Sequence, residues 1–363
     1  MNKLDFSYNS IFKNIIEQNR QKIKNKYDYD NIINIVRNFI TNLSEPYFIS
    51  LSGGVDSMVI LVILRVFLKK QVVAIHINYN NREECDLEQE FLEVFCSKIG
   101  THFHSMKMEF KRCETDRRDY ENLAKKERFS FYSEVINKYS DSKNNGITGI
   151  FLGHHKDDSV ENIFNNIMNC RNLMDLAVIK DSSSIMGVNI FRPFVNIFKE
   201  QVYHFSNYFE ILYFNDNTPE WSMRGCFRNE VFPLIEKYYC SPKQNLLQVS
   251  QQVSEWGSCI HEMVIKPILD NDIQFVYNEE SLFQEIIINY SRLANCPESI
   301  WNHIIMEVFH KIGHNCPSRK SISNLISIIM HKNSKYLHRV ILMKVFNVYI
   351  NKQDQKLIIN KSE

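Results

Sequence analysis

The sequence predicts an α/β protein, a doubly wound parallel sheet followed by a mainly helical C-terminal domain. Three observations predict it. Short β-rich runs alternate with longer amphipathic stretches between Tyr47 and Phe214. A glycine-rich turn, Ser52-Gly53-Gly54, stands where the first β run gives way to the first helical one, and strand signals fade from about Asp216 onward. Strands separated by helices pair in parallel through right-handed crossovers, which covers both faces of the sheet.

The elements follow in order. Residues 1–44 place apolar side chains at helical spacing (Ile11, Ile15, then Ile32, Ile33, Val36 and Ile40) among many Asn and Lys, and read as a helical extension. After Pro46, strands are expected at Tyr47–Leu51, Val72–Tyr79, His102–Phe110, Ile147–Gly153 and Ile211–Phe214, with helices at Met58–Lys69, Asp86–Ile99, Tyr120–Tyr139 and Asp158–Asn169. These make a sheet domain over 45–215. The remaining 216–363 reads as helix through Ser241–Asn278 and Ser281–Lys332, while Val340–Ile359 is rich enough in β-branched residues to be helix or terminal hairpin.

Composition bounds the function. A chain of 363 residues with 44% hydrophobic and 23% charged side chains has a real core and room for two main domains. With 43 basic against 42 acidic residues it is no globally basic nucleic-acid coat, although a local Arg/Lys patch remains open. Met1 to Lys26 shows no apolar leader, and the longest apolar stretch, Met58–Leu68, is broken by Arg65 and falls short of the roughly 20 residues that span a bilayer. No membrane association is expected. Nine cysteines without a single CxxC pair read as reduced thiols of a cytoplasmic protein and disfavour zinc-ribbon and iron–sulfur sites.

The sharpest motif is Ser52-Gly53-Gly54-Val55-Asp56-Ser57. Two glycines let the backbone approach a ligand, and the helix start behind them offers free N–H groups, so the loop is built for phosphate. Ser52 and Ser57 can add donors; Asp56 can hold a phosphate-bound Mg²⁺ or cap the helix. The second strong motif is Leu152-Gly153-His154-His155-Lys156-Asp157-Asp158-Ser159-Val160-Glu161-Asn162, whose i,i+3 and i,i+4 spacing can place Asp157, Asp158 and Glu161 on one helical face. Two histidines beside that acidic cluster suit metal, base or amine-binding duties. Weaker segments are His76-Ile77-Asn78-Tyr79-Asn80-Asn81-Arg82 at a strand end, Ala124-Lys125-Lys126-Glu127-Arg128-Phe129 on a helix, Arg192-Pro193-Phe194, and Asp216-Asn217-Thr218 followed by Arg224-Gly225-Cys226-Phe227-Arg228 and Phe232-Pro233-Leu234.

Together these segments resemble the tRNA(Ile)-lysidine synthases, a family of the PP-loop N-type ATP pyrophosphatases, over about Tyr47 to Pro233. The chain departs from the family pattern at Tyr79, Lys125 and Gly225. The resemblance implies an adenine-nucleotide-alpha-hydrolase-like fold and a ligase that adenylates C2 of a tRNA cytidine with ATP and then joins lysine to it. It implies catalytic duties for Asp56, His154, His155, Asp157, Asp158 and Glu161. Nucleotide binding falls to Ser52, Gly53, Gly54, Val55, Asp56, Ser57, His76, Asn78 and Gly153. Substrate or RNA contacts fall to Arg82, Arg128, Arg192, Arg224 and Arg228, with Arg292 in the C-terminal part, which would recognise tRNA. The expected cofactors are ATP and Mg²⁺, and the expected partners tRNA and free lysine, with a homodimer left open. The alternatives are tRNA thiolation by the same adenylation, another adenylating ligase, and a catalytically lapsed tRNA- or nucleotide-binding protein.

Overall fold

A computed structural model of the chain describes residues 29–110, 117–139, 146–176, 179–215, 222–277, 283–330 and 338–361. Most of the expected N-terminal extension, with Ile11 and Ile15, and the Asp216-Asn217-Thr218 segment lie outside the described residues. The chain divides into two compact units, Met1–Asn169 with Ala177–Gln248, and Cys170–Leu176 with Val249–Glu363.

The first unit is built on six strands, β1 (Tyr47–Ser50), β2 (Val72–Asn78), β3 (His102–Lys107), β4 (Ile150–Phe151), β5 (Ser182–Ile185) and β6 (Val188–Phe191), in the order β3-β2-β1-β4-β6-β5. All neighbours pair in parallel except β5, which runs antiparallel at the edge. Alternation along each strand sorts the side chains between two cores. Ile49, Leu51, Val72 and Ala74 join one, while Phe48, Val73, Ile75 and Ile77 join the other, so both faces are covered. The helix Val55–Val62 continues as a π turn through Phe67, and Met58 to Leu64 are fully buried. A helix that is apolar on every side has to lie inside a core, which is what the Met58–Leu68 run becomes. Among the described residues no helix is long and apolar enough to cross a membrane.

Three expectations change here. The helix Tyr29–Phe39 buries Ile32, Ile33 and Val36 in the first core, so this part of the extension belongs to the sheet unit. That unit runs to Gln248 rather than to residue 215. Ile211–Phe214 is not a strand of the sheet: β6 occupies the free edge of β4, and the segment keeps only an isolated bridge from Phe214 to Gly54. The β5–β6 hairpin escaped the sequence because its turn residues Met186 and Gly187, at φ 50° and 80°, take the left-handed geometry of a two-residue hairpin with a methionine where Asn or Asp usually announces it.

The strand order places the site. From β1 the chain moves outward to β2 and β3, then returns to β4 on the other side of β1. Loops leaving the C-terminal ends of β1 and β4 therefore diverge and open the crevice in which such sheets bind ligands. Both strong motifs lie there, Ser52–Ser57 after β1 and Gly153–Glu161 after β4.

The second unit contains the helices Glu298–Lys311 and Arg319–Met330 and the end of Pro242–Ile260, in keeping with the helical reading. It also contains a five-stranded antiparallel sheet that reading lacked, ordered β7 (Ile273–Tyr277), β8 (Phe283–Asn289), β11 (Lys356–Lys361), β10 (Phe346–Asn351), β9 (His338–Met343). Segments 273–277 and 283–289, read as helix, are thus strands. Their Ile and Val side chains fit either state locally, and pairing decides. The open choice at Val340–Ile359 resolves as strands, with β10 paired to β11 and to β9. Trp301, Ile305, Phe309, Ile288, Val348 and Ile359 share one core.

Candidate functional site

Gly53 makes the turn out of β1 at φ +82°, and a Cβ there would meet Phe214 Cδ2 at 2.4 Å. Only glycine fits that conformation and that space. Gly54 follows as the helix N-cap without a side-chain cap, which leaves the amides of the first turn free for an anion. The hydroxyls are held ready: Ser57 donates to the Gly54 carbonyl at 3.0 Å, and its Oγ lies 3.1 Å from that of Ser52. Gly153 closes the loop from the β4 side, since a Cβ there would come within 2.8 Å of Asp56 Cβ.

Asp56 is the tense residue of this loop. Its Oδ1 is buried without a hydrogen-bond partner. Its Oδ2 lies 3.9 Å from His155 Nε2 and 4.0 Å from Lys199 Nζ. Burial pushes its carboxyl up to about 7, with Lys199 pulling the other way.

The second motif starts the helix Lys156–Met168 with a reciprocal cap. The His155 amide donates to Asp158 Oδ2 at 3.0 Å, and the Asp158 amide donates to His155 Nδ1. Burial holds His155 down at about 4, so it is a neutral imidazole whose Nδ1 is already accepting. His154 is also pushed down by burial, with the guanidiniums of Arg192, Arg224 and Arg128 acting in the same sense against Asp158. Its Nδ1 accepts from Arg192 Nε at 3.1 Å.

The three carboxylates do not act as one face. Asp158 and Glu161, both buried, turn to the i,i+4 pair Arg224 and Arg228. Arg228 reaches Asp158 Oδ1 at 3.0 Å and Glu161 Oε2 at 2.9 Å, and Arg224 Nε donates to Glu161 Oε1. Asp157 turns the other way, accepting from the Lys199 amide at 2.8 Å and pairing with Lys243 Nζ at 2.8 Å. Against the upward push of burial, those two donors hold its carboxyl below the ordinary range. Adjacent helix positions differ by about 100°, which is why Asp157 and Asp158 part company.

A cavity of about 300 Å³ adjoins, lined among others by His155, Asp157, Glu161, Lys199, Arg228, Glu236 and Lys243. The sequence had not marked Lys199, Glu236 or Lys243 as site residues. Lys199 carried a signal all the same: it opens the helix Lys199–Tyr208, at the end of a helix dipole where a cation is disfavoured.

Several expected residues stand apart from this cluster. His76 and Asn78 are buried and spend their polar atoms internally. His76 Nδ1 pairs with the Leu51 carbonyl at 2.8 Å, and Asn78 donates to Asp86 and accepts from the Asn80 amide. Buried polar groups need such partners, and these contacts shape the loop after β2. Arg82 pairs with Glu88, and Arg128 donates to the Tyr79 hydroxyl and lies over the Phe129 ring. Arg192 is buried and holds His154, the Lys180 carbonyl and Ser183. Arg292, in the second unit, faces Asp272.

The chain is similar in sequence to several curated proteins. A tRNA(Ile)-lysidine synthase of Chlamydia felis is 29% identical over 233 residues, covering 63% of this chain and 70% of that one. The enzyme of that name from Chlamydia abortus is 27% identical over 232 residues with the same coverage, and that of Mycoplasma mycoides subsp. mycoides SC is 23% identical over 316 residues, covering 82% and 70%. The family model described as PP-loop domain matches residues 25–235, the stretch that carries β1 to β6, the glycine loop and the arginine pair. With more than half of its length matched in this way, the chain belongs to the PP-loop domain family.

Proposed function

We propose that the chain is an ATP-dependent carbon–nitrogen ligase of the tRNA(Ile)-lysidine synthase type. In this reading the C2 oxygen of a tRNA cytidine, at the anticodon wobble position, attacks the α-phosphorus of ATP and pyrophosphate leaves. An amine of free lysine then attacks C2, loses a proton, and AMP departs.

One observation carries the reading. His155 and Lys199 stand beside Asp56 of the phosphate-type loop and also line the adjoining cavity. That cavity presents carboxylates on Asp157, Glu161 and Glu236 and cations on Lys199, Arg228 and Lys243, a mixed wall that suits an amino-acid zwitterion better than a purely anionic or apolar ligand. Phosphate chemistry and an amino-acid-sized seat therefore share two residues.

The roles follow from the contacts. The amides at the start of the helix Val55–Val62, with Ser52 and Ser57, bind phosphate oxygens, and the Lys199 ammonium offsets their charge. His155, neutral and capping, fixes Asp158. Arg224 and Arg228 hold Asp158 and Glu161 in place, and Asp157 with Glu236 offers the seat in which the Lys243 ammonium now sits, 2.8 Å and 3.6 Å away. Only a neutral amine is nucleophilic, so a carboxylate wall that orients it and takes its proton is the chemistry required. Asp56 fits a divalent cation: its orphaned Oδ1 and burial-raised carboxyl are both relieved by one. Mg²⁺ held there with the nucleotide phosphates would supply charge neutralisation for the pyrophosphate leaving group.

The test separates the two steps. Pyrophosphate release is followed with ATP, Mg²⁺ and tRNA but no lysine, and AMP release is followed after lysine is added. We expect pyrophosphate only when tRNA is present and AMP only after lysine. Pyrophosphate release indifferent to tRNA would remove the RNA ligase reading.

A further inference from the structure

The second unit carries a groove of about 750 Å³ that has no part in the chemistry above. Its apolar wall includes Trp256, Leu173 and Ile300. Trp256 is 70% exposed and leaves a large aromatic surface open at the wall of the groove. The polar part is unequal in charge. Two exposed guanidiniums, Arg171 and Arg319, face a single carboxylate, Glu298. Asn302 also lines the groove; its Nδ2 donates to the Glu298 carbonyl at 2.9 Å, while its Oδ1 is buried with no hydrogen-bond partner.

We infer that this groove receives an unpaired nucleotide of the tRNA. An open aromatic face, two cations at the rim and one unsatisfied acceptor are what a base, its phosphates and an exocyclic amine need. The excess of guanidinium over carboxylate along the groove complements an anionic backbone, and an apolar small molecule would leave both guanidiniums and Asn302 Oδ1 without partners. The inference rests on the tRNA-ligase reading and adds a subsite to it. Trp256 is the stacking platform, Arg171 and Arg319 grip the backbone, and Asn302 favours a base that presents an amino group.

The test uses the full chain. Binding of tRNA and of a fully paired RNA duplex is measured by anisotropy for wild type, Trp256→Ala, Trp256→Phe and the double variant Arg171→Gln/Arg319→Gln, and pyrophosphate release is measured in parallel. Trp256→Ala is expected to weaken tRNA binding about 5-fold to 150-fold, the range that base–aromatic stacking covers, while Trp256→Phe keeps most of the affinity. The double arginine variant should flatten the slope of log affinity against log salt by about 1.4, two phosphates at roughly 0.7 each for a single strand. Duplex affinity should be insensitive to residue 256. If wild type shows tRNA-dependent pyrophosphate release but Trp256→Ala binds tRNA as tightly as wild type, the groove has another occupant and the inference is overturned while the ligase reading stands. If wild type neither binds nor responds to any tRNA, both fall. Equal losses in Trp256→Ala and Trp256→Phe would mark a folding defect rather than stacking, and would also overturn it.

Discussion

Replacing Asp56 by Asn should make the first unit more stable and the enzyme inactive. The Asp56 carboxyl sits at about 7 in the folded chain against an ordinary value of 3.8. Below pH 3.8 the group is protonated in both states and costs nothing. As the pH rises toward 7 the unfolded chain gives up its proton first, so the folded state is progressively penalised. At about 1.36 kcal/mol for each pH unit of difference, the full penalty above pH 7 is about 4 kcal/mol. That figure is an upper bound for Asp56→Asn, because the amide inherits the same unpartnered Oδ1 position. The advantage of the variant should therefore grow by about 2 to 3 kcal/mol between pH 5 and pH 8. Urea unfolding at both pH values, with amide exchange read on peptides covering Val55–Phe67, isolates the first unit. A variant whose advantage stays flat with pH, or turns into a loss at pH 8, would refute the reasoning. The same substitution removes the carboxylate assigned to the cation, so pyrophosphate release should be lost even as stability rises, a trade typical of functional sites.

Other outcomes follow from neighbouring contacts. Arg228→Met leaves Asp158 and Glu161 buried with one guanidinium fewer, and should cost about 3 to 5 kcal/mol in urea unfolding; adding Glu161→Gln should recover part of it. Gly53→Ala forces a Cβ to 2.4 Å from Phe214 Cδ2 at φ +82°. The backbone part alone costs about 1–2 kcal/mol, so pairing it with Phe214→Ala should restore only some stability, and ATP titration should show weakened binding in both. Lys199→Met removes the ammonium that pulls the Asp56 carboxyl down, so the titration of Asp56 followed by NMR should move further above 7 and pyrophosphate release should fall.

The sheet and its crevice were legible because glycine turns, β-branched runs and alternation all pointed one way. Ser52–Ser57 and His154–Glu161 sit at the switch point that the strand order makes. What each carboxylate faces was not legible. Spacing put Asp157, Asp158 and Glu161 on one helix, but the partners that separate them, Lys199, Lys243, Arg224 and Arg228, arrive from segments 42 to 86 residues further along, and only folding shows which meets which. His76 and Asn78 are polar at a strand end, and the internal partners they take, the Leu51 carbonyl and Asp86, were not legible either. The second sheet was hidden for a different reason, since runs such as Phe283–Asn289 hold Ile in a pattern that suits helix and strand alike until β11 pairs with it.

The measurement that reaches the central claim most directly is nucleoside analysis of a tRNA pool incubated with the protein, ATP, Mg²⁺ and isotopically labelled lysine. The account predicts a labelled nucleoside derived from cytidine, formed in step with AMP and absent with Asp56→Asn. AMP formation that depends on tRNA but leaves every nucleoside unlabelled would contradict it.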